Sequence, residues 1–232
     1  MTWHSGDITA PDTLTDDFAG AEWIIHAAGP LGQPNLAAQA YHRIHVDGTR
    51  NLLTAVRAQR GRPKVLYLSS PGVLGSTTKE PAPEDAPLAP TNPYERSKAA
   101  GEHVARDFAA RGVMLIIARP GFVYGPGDRH VLGLFRAIQR GQFFYISSGH
   151  HLCQPTFIED AVVGMLLCLT RGKAGEVYHI TGPSSVTFRE LRETIGRALG
   201  VRPPRLNVPR WAAMMAAATL ETGGSWLVAC HL

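Results

Sequence analysis

Short apolar runs that end near glycine or serine, with long helical stretches between them, constrain the fold of this chain more than any other feature. The runs are residues 23–28, 65–68 and 113–118. Runs of this length bounded by turn residues are typical of strands buried on both faces of a parallel sheet. Residues 35–60 and 94–110 have the length and apolar spacing of helices. Strands that alternate with helices in this way predict an α/β fold with a doubly wound, parallel sheet.

The alternation becomes less regular after residue 127, which predicts a second and smaller unit. Apolar spacing predicts three helices and two short strands there, at 130–139, 160–170 and 191–199, and at 143–146 and 176–180. Thr187 and Glu190 have the spacing of a capping box before the last helix. The apolar segment 211–220 predicts a buried or interface helix. We therefore predict a first domain at 1–127 and a C-terminal lobe at 128–232.

Small residues at the ends of the predicted strands indicate where a ligand would bind. Gly29, Ser70 and Gly121 each follow closely after a strand. In an open parallel sheet, ligands bind outside the carboxyl ends of the strands. These three positions are therefore expected to meet at one edge of the sheet, beside the binding site.

Tyr94 and Lys98 have the spacing of a catalytic pair. They lie four residues apart in a predicted helix, so both side chains project from one face of it. An ammonium group beside a phenol favours the phenolate, and it lowers the tyrosine pKa from its ordinary value of about 10. The pair predicts a tyrosine that exchanges protons near neutral pH.

Composition argues against several classes of function. The chain is 44% hydrophobic and 18% charged, as is typical of a globular domain. Its net charge of +4 comes from scattered residues rather than a basic stripe, so we expect no nucleic-acid partner. No apolar run approaches the roughly 18 residues of a membrane span. The first residues lack the features of a signal peptide, so none is expected.

The cysteines and histidines predict neither disulfides nor a metal site. The chain has only three cysteines, widely spaced at Cys153, Cys168 and Cys230. An odd number at such spacing predicts free thiols in a reducing compartment, and so a cytoplasmic protein. His150 and His151 stand beside Cys153 but lack a second cluster of ligands, which predicts a polar turn rather than a metal site.

Eight segments, in the right order, resemble the extended short-chain dehydrogenase/reductase family, which includes the NAD-dependent epimerases and dehydratases. They span roughly residues 5–200 and are 6–8, 24–29, 45–53, 69–75, 94–98, 119–127, 157–161 and 175–180. The resemblance implies a Rossmann-like, NAD(P)-binding domain followed by a small substrate-binding lobe. It also implies that the first two strands of the family's sheet are absent, because no glycine-rich turn precedes Gly6. Residues 223–232 have no counterpart in the family.

The resemblance assigns the chemistry to three residues. Tyr94 would be the acid–base group. Lys98 would lower its pKa and bind the ribose of the nicotinamide nucleotide. Ser70 would donate a hydrogen bond to the reacting oxygen, with Ser69 as the alternative.

The resemblance also implies NAD or NADP as the cofactor. Small residues after a strand let a dinucleotide approach the backbone, and Asp7 would lie near the adenine. His45 stands where many relatives have asparagine. The implied cofactor-binding residues are Asp7, Ala27, Ala28, Gly29, His45, Ser69, Tyr94, Lys98, Pro120, Gly121 and Val123.

The implied reaction is hydride transfer at a carbon that bears a hydroxyl or carbonyl group, on a small-molecule substrate. Many nucleotide-sugar enzymes have an asparagine where this chain has Gly121, which favours the 3β-hydroxysteroid dehydrogenase and flavonoid-reductase branches. A nucleotide-sugar epimerase or dehydratase is the first alternative. The second is a catalytically inactive fragment that serves as a binding or scaffold protein. The resemblance further suggests a homodimer formed through the helices at 35–60 and 94–110.

Overall fold

The computed structural model of the protein describes residues 3–14, 18, 20–33, 35–76, 81–146, 149–201, 207–209 and 211. These residues form ten strands and six α-helices. The strands are β1 (Trp23–His26), β2 (Lys64–Leu68), β3 (Leu115–Pro120), β4 (Phe122–Tyr124), β5 (Tyr145–Ile146), β6 (Leu152–Cys153), β7 (Pro155–Phe157), β8 (Val177–Ile180), β9 (Val186–Thr187) and β10 (Asn207–Val208). The helices are α1 (Ala38–His42), α2 (Thr49–Ala58), α3 (Pro93–Ala110), α4 (Leu132–Gln139), α5 (Ile158–Arg171) and α6 (Phe188–Ala198).

Four of the strands form a parallel sheet in the order β1–β2–β3–β8. The register pairs Ile25 with Leu66, Leu66 with Ile116, and Ile117 with Val177. Their carboxyl ends therefore lie at one edge of the sheet. The predicted α/β class with a parallel sheet is confirmed, and the three strands predicted in the first half lie within two residues of their expected positions.

Helices cover both faces of this sheet. On one face, apolar residues of α2 and α3 such as Leu53 and Phe108 pack in one cluster with Val65 and Ile117. On the other face, α5 packs close to the sheet. Gly172 directly follows this helix, and a Cβ atom at Gly172 would lie 3.0 Å from Ile116 Cδ1. The central strands are buried on both sides as a result, which explains their continuous apolar sequence.

The helix predicted at 35–60 contains an irregular stretch. Between α1 and α2 the backbone forms a π-helix, Arg43–Gly48. Here the Thr49 hydroxyl donates to the His45 carbonyl oxygen at 2.6 Å, and helix α3 approaches the same carbonyl at Gly101, where a Cβ atom would come within 2.4 Å of it. Such stretches are rare and often occur at functional sites; an apolar pattern alone does not distinguish them from α-helix.

Helix α3 begins at a capping box. The Asn92 side chain accepts a hydrogen bond from the Glu95 amide at 2.9 Å, and the Glu95 carboxylate accepts from the Asn92 amide. Pro93 occupies the first turn, where its missing N–H group costs nothing. These local interactions set the start of the helix, and so the positions of Tyr94 and Lys98.

The chain forms two compact units and passes between them more than once. The first unit comprises Met1–Gly121 and Glu159–Thr181, and the second comprises Phe122–Ile158 and Gly182–Leu232. A single boundary after residue 127 differs from this division because the chain returns to the first unit, where β8 joins the sheet.

The helices predicted in the second half are confirmed as α4, α5 and α6, and the predicted capping box is present at Thr187 and Glu190. Residues 6–8, one of the segments that carry the family resemblance, pair with no strand among the described residues. The helix predicted at 211–220 falls outside the described residues apart from Trp211, and so do Cys230 and the segment 223–232. Within the described ranges, no helix is long and apolar enough to cross a membrane.

Candidate active site

The predicted site residues of the first three strands meet at the carboxyl edge of the sheet. Ala27 follows β1, Ser69 follows β2, and Gly121 follows β3, where its amide donates to the Ile180 carbonyl oxygen at 2.8 Å. Pro120 is the last residue of β3, opposite Ile180. Val123, which the resemblance also assigned to the cofactor, lies in β4, in the second unit.

Ser70 and Tyr94 are brought into contact. Ser70 caps the short 3-10 helix Pro71–Leu74, and its hydroxyl oxygen accepts from the Gly72 amide at 3.2 Å. That leaves the Ser70 proton available, and the interaction of the Ser70 hydroxyl with Tyr94 acts to lower the Tyr94 pKa. Burial has the larger and opposite effect, so the pKa of Tyr94 is raised above its ordinary value.

Ser69 has a different environment from its neighbour. Its side chain is buried, and its hydroxyl donates to Glu102 Oε2 at 2.7 Å. A carboxylate that accepts this proton keeps it from a reacting oxygen. The Ser69 proton is therefore held by Glu102, whereas the Ser70 hydroxyl interacts with Tyr94.

Lys98 does not act on Tyr94 in the way that the spacing predicted. Its ammonium group donates to the Leu68 carbonyl oxygen at 2.6 Å and lies 5.1 Å from the centre of the Tyr67 ring. Burial lowers the pKa of Lys98 to about 8, while the charge of Glu102 opposes this shift. The predicted lowering of the Tyr94 pKa is therefore wrong for this structure: burial dominates that pKa, and the ammonium points to the end of β2.

His45 lies beneath the turn after β1 rather than on an open cofactor surface. It is 2% exposed, and a Cβ atom at Gly29, where φ is +153°, would lie 2.6 Å from His45 Nε2. Only glycine fits there. Ser97 donates its single proton to the Tyr94 carbonyl oxygen at 2.6 Å, so His45 Nδ1 is the donor in its 2.8 Å hydrogen bond with Ser97 Oγ.

His26 is a buried polar residue that the sequence reasoning missed. Thr49 donates its proton to the His45 carbonyl oxygen, so His26 Nε2 must donate in its 3.0 Å contact with Thr49 Oγ1. His26 Nδ1 is buried without a hydrogen-bond partner. The sequence feature that could have identified it is a histidine at the end of an apolar strand, directly before Ala27.

The two buried histidines predict a loss of stability in mild acid. Burial, with a contribution from the charge of Lys98, lowers the pKa of both His26 and His45 to about 4, from an ordinary value of 6.5. Between pH 6.5 and pH 4 the unfolded chain therefore binds more protons than the folded chain, and stability falls as the pH falls through this window. Since one pKa unit is worth about 1.4 kcal/mol, we expect urea unfolding to show a loss on the order of 3 kcal/mol between pH 7 and pH 5.

Two histidine variants test the origin of this loss. His26→Gln should reduce the dependence of unfolding free energy on pH, because one of the two groups no longer titrates. His103→Gln changes an exposed histidine and should leave the dependence as it is. Equal slopes in all three proteins would contradict the assignment.

A shallow, open cavity of about 510 Å³ lies beside the turn after β1. Three residues predicted to bind the cofactor, Asp7, Ala28 and Gly29, share it with Arg43 and Thr9, which sequence reasoning did not identify. The lining residues are Gly6, Asp7, Ile8, Thr9, Ala28, Gly29, Pro30, Arg43 and Ile44. Hydrogen bonds from the Thr9 amide and hydroxyl lower the pKa of Asp7. The cavity therefore offers an ionised acceptor, a cation and exposed backbone.

Curated relatives of the chain catalyse redox and dehydration reactions. A 4-hydroxy-2-methyl-3-oxo-4-farnesyl-3,4-dihydroquinoline-1-oxide ketoreductase from Stigmatella aurantiaca is 28% identical over 91% of this chain and 64% of its own length. A dTDP-glucose 4,6-dehydratase from Streptomyces niveus is 32% identical over 84% of this chain and 60% of its own. A 3beta-hydroxysteroid-dehydrogenase/decarboxylase isoform 2 from Arabidopsis thaliana is 27% identical over 95% of this chain and 42% of its own length. The chain thus spans less than two thirds of each of these relatives.

Solved structures of similar fold contain nicotinamide cofactors. RMD from Pseudomonas aeruginosa, complexed with NADPH, matches with a TM-score of 0.77 and 26% identity over 89% of this chain and 76% of its own. DesIV, a dTDP-glucose 4,6-dehydratase from Streptomyces venezuelae with NAD and TYD bound, matches with a TM-score of 0.78 and 29% identity, over 88% of this chain and 66% of its own. The Rossmann-like fold that the family resemblance implied is confirmed by these matches.

A family model matches the part of the chain that contains the parallel sheet. It covers residues 1–181, which include the whole four-stranded sheet. This chain belongs to the NAD dependent epimerase/dehydratase family.

Proposed function

We propose that the protein is an NAD(P)-dependent oxidoreductase in which Tyr94 is the acid–base group and Ser70 the donor to the reacting oxygen. The observation that carries this proposal is the interaction of the Ser70 hydroxyl with Tyr94 at the carboxyl edge of the sheet. Both residues stand where the family resemblance places its catalytic serine and tyrosine. The nicotinamide complexes of similar structures, with NADPH and with NAD, support the cofactor.

The cavity beside β1 fits the adenosine end of a dinucleotide. Its volume of about 510 Å³ lies within the roughly 300–1,000 Å³ of small-molecule sites. Asp7 would accept hydrogen bonds from the nucleoside, and Ala28 and Gly29 present backbone without bulky side chains. Lys98 would hold the nicotinamide ribose. When bound, the cofactor supplies or accepts the hydride.

The residues of this chain would handle the proton. In the reducing direction, Tyr94 Oη gives its proton to the carbonyl oxygen as the carbon gains hydride, and the C=O double bond becomes a C–OH single bond. Ser70 donates a hydrogen bond to the same oxygen, which stabilises its developing negative charge. Oxidation reverses both steps.

We favour a ketone or alcohol on an apolar skeleton as the substrate. Gly121 supplies no side-chain amide where many nucleotide-sugar enzymes of the family have one. The ketoreductase and the hydroxysteroid dehydrogenase among the relatives support this class. The dehydratase relative favours the alternative, a nucleotide-sugar dehydratase or epimerase. Cofactor demand separates the two: a dehydrogenase consumes external cofactor in stoichiometric amount, whereas an epimerase or dehydratase regenerates it.

We also infer a reducing, cytoplasmic environment and a homodimer. Cys153 and Cys168 are free thiols, which is the usual state of cysteine in such a compartment. Helix α3 and the helical stretch before β2 are the proposed dimer surface. Sedimentation of the purified chain would give the mass of the particle.

Cofactor titration tests the proposal directly. We expect NADH or NADPH to bind the purified chain, measured by nicotinamide fluorescence, and Lys98→Ala to weaken that binding by about tenfold to a hundredfold, as expected for a hydrogen bond from a charged group. Lys173→Ala, which removes an exposed lysine before β8, is the matched control and should bind like the wild type. A folded wild-type sample that binds neither cofactor would overturn the proposal in favour of a non-catalytic binding or scaffold protein.

A further inference from the structure

The loop 31–33, which follows β1, forms hydrogen bonds with the buried side chain of Tyr41. Tyr41, in helix α1, is 2% exposed. Its hydroxyl oxygen accepts a hydrogen bond from the Gln33 amide at 2.6 Å. The same hydroxyl donates to the Gln33 carbonyl oxygen at 3.0 Å, with the Leu31 carbonyl oxygen further away at 3.4 Å. Both polar interactions of the phenol are therefore made with the backbone of this loop.

The ring of Tyr41 joins the loop to the proposed catalytic tyrosine. It meets the Tyr94 ring edge-on, with 5.8 Å between the ring centres, and stacks on His45 at 5.8 Å. The loop itself lies against Tyr94, because a Cβ atom at Gly32 would be 3.8 Å from Tyr94 Cγ and Cδ1. One residue thus contacts Tyr94 through its ring and holds the covering loop through its hydroxyl.

We propose that Tyr41 is a positioning residue, which holds the loop 31–33 against Tyr94 and so sets the approach of substrate to the Tyr94 hydroxyl. This inference rests on the proposed function of Tyr94. The loop also carries Leu31, an apolar side chain that is 56% exposed. A fixed loop presents this side chain in one place, which suits a substrate with an apolar skeleton.

Replacing Tyr41 by Phe tests the proposal, because the variant keeps the ring and removes only the two hydrogen bonds. Amide exchange at Gln33, followed by mass spectrometry, should become at least about tenfold faster, since the amide loses its acceptor. The substrate KM should rise by roughly threefold to tenfold, the range expected for lost hydrogen bonds. Tyr94 becomes less buried when the loop is released, so its pKa should fall towards the ordinary value. The basic limb of the kcat profile should then move to lower pH.

Tyr178→Phe is the matched control. The Tyr178 hydroxyl also holds a loop, since it accepts from the Lys173 amide at 3.1 Å, but at the start of β8 rather than beside Tyr94. This variant should leave KM, the pH profile and exchange at Gln33 unchanged. A Tyr41→Phe protein with unchanged exchange would show that the hydroxyl does not hold the loop. Faster exchange with unchanged KM and pH profile would show that the loop does not position substrate, and either result overturns the inference.

Failure of this inference and failure of the proposed function give different results. If the wild type binds no nicotinamide cofactor, the proposed function fails, whatever the exchange rate at Gln33. If the wild type binds cofactor and reduces a ketone, but Tyr41→Phe behaves like the control, only the role of Tyr41 fails.

Discussion

Replacing Tyr94 by Phe is expected to lower kcat by about 10²- to 10⁴-fold, the usual contribution of a positioned acid–base group. Phenylalanine keeps the ring contacts with Tyr41 and His45 but has no proton to exchange with the substrate oxygen. Ser70 still donates a hydrogen bond, so a residual rate should remain. The measurement is kcat for reduction of a ketone found by screening apolar ketones against the purified chain and NADPH.

Cofactor binding separates loss of chemistry from loss of the site. Tyr94→Phe should bind NADPH within a factor of a few of the wild type, because the cavity lined by Asp7 and Gly29 is unchanged. Tyr178→Phe, the same substitution on β8, should retain full activity. If Tyr94→Phe kept more than a tenth of the wild-type kcat, another group would have to move the proton, and the assignment would fail.

Removal of the Glu102 carboxylate should cost about 3–5 kcal/mol of unfolding free energy, the range for breaking a buried ion pair. Glu102 and Arg119 are both fully buried. The Arg119 guanidinium forms two hydrogen bonds with the Glu102 carboxylate, in which Nη2 donates to Oε1 at 2.6 Å and Nε donates to Oε2 at 3.1 Å. Ser69 donates to Oε2 as well, and Arg106 to Oε1. Glu102→Ala therefore leaves a buried guanidinium with an unpaired edge and a buried hydroxyl without its acceptor.

Urea unfolding would measure the loss. Glu176→Ala, in the exposed turn before β8, is the control and should stay within about 0.5 kcal/mol of the wild type. The double variant Glu102→Leu with Arg119→Met should lose less than Glu102→Ala, because no fully buried charge is left unpaired. A double variant as unstable as the sum of its single variants would show that Glu102 and Arg119 are not coupled, and would contradict the assignment of the loss to an unpaired buried charge.

Local features of the sheet and of α3 were predictable because they depend on neighbouring residues. The apolar runs that became β2 and β3 are continuous since both faces of the sheet are covered there, whereas Trp23 and Ile25 of the edge strand β1 are each 47% exposed. The position of Ser70 beyond the end of β2 followed from the apolar run before it, since ligands bind at the carboxyl edges of parallel strands.

Interactions between distant segments were not predictable in the same way. The spacing of Tyr94 and Lys98 predicts that both lie on one helix face. It does not predict that the Leu68 carbonyl oxygen accepts a hydrogen bond from the Lys98 ammonium group. Burial decides the pKa of Tyr94, and burial depends on the loop 31–33 and on Tyr41, which lie far from it in sequence. The pairing of Glu102 with Arg119 has the same origin, since it joins α3 to β3 across the core.

The return of the chain from the second unit has a consequence for biosynthesis. Ile117 of β3 can pair with Val177 of β8 only after residues 122–158, which belong to the second unit, have been synthesised. The ladder between these strands therefore closes late, and pairings between distant residues slow folding because the intervening chain must first be ordered. On the ribosome, β3 would remain an open edge until β8 emerges. A nascent chain arrested before residue 177 is consequently expected to resist protease less well than one arrested after residue 181 has left the exit tunnel.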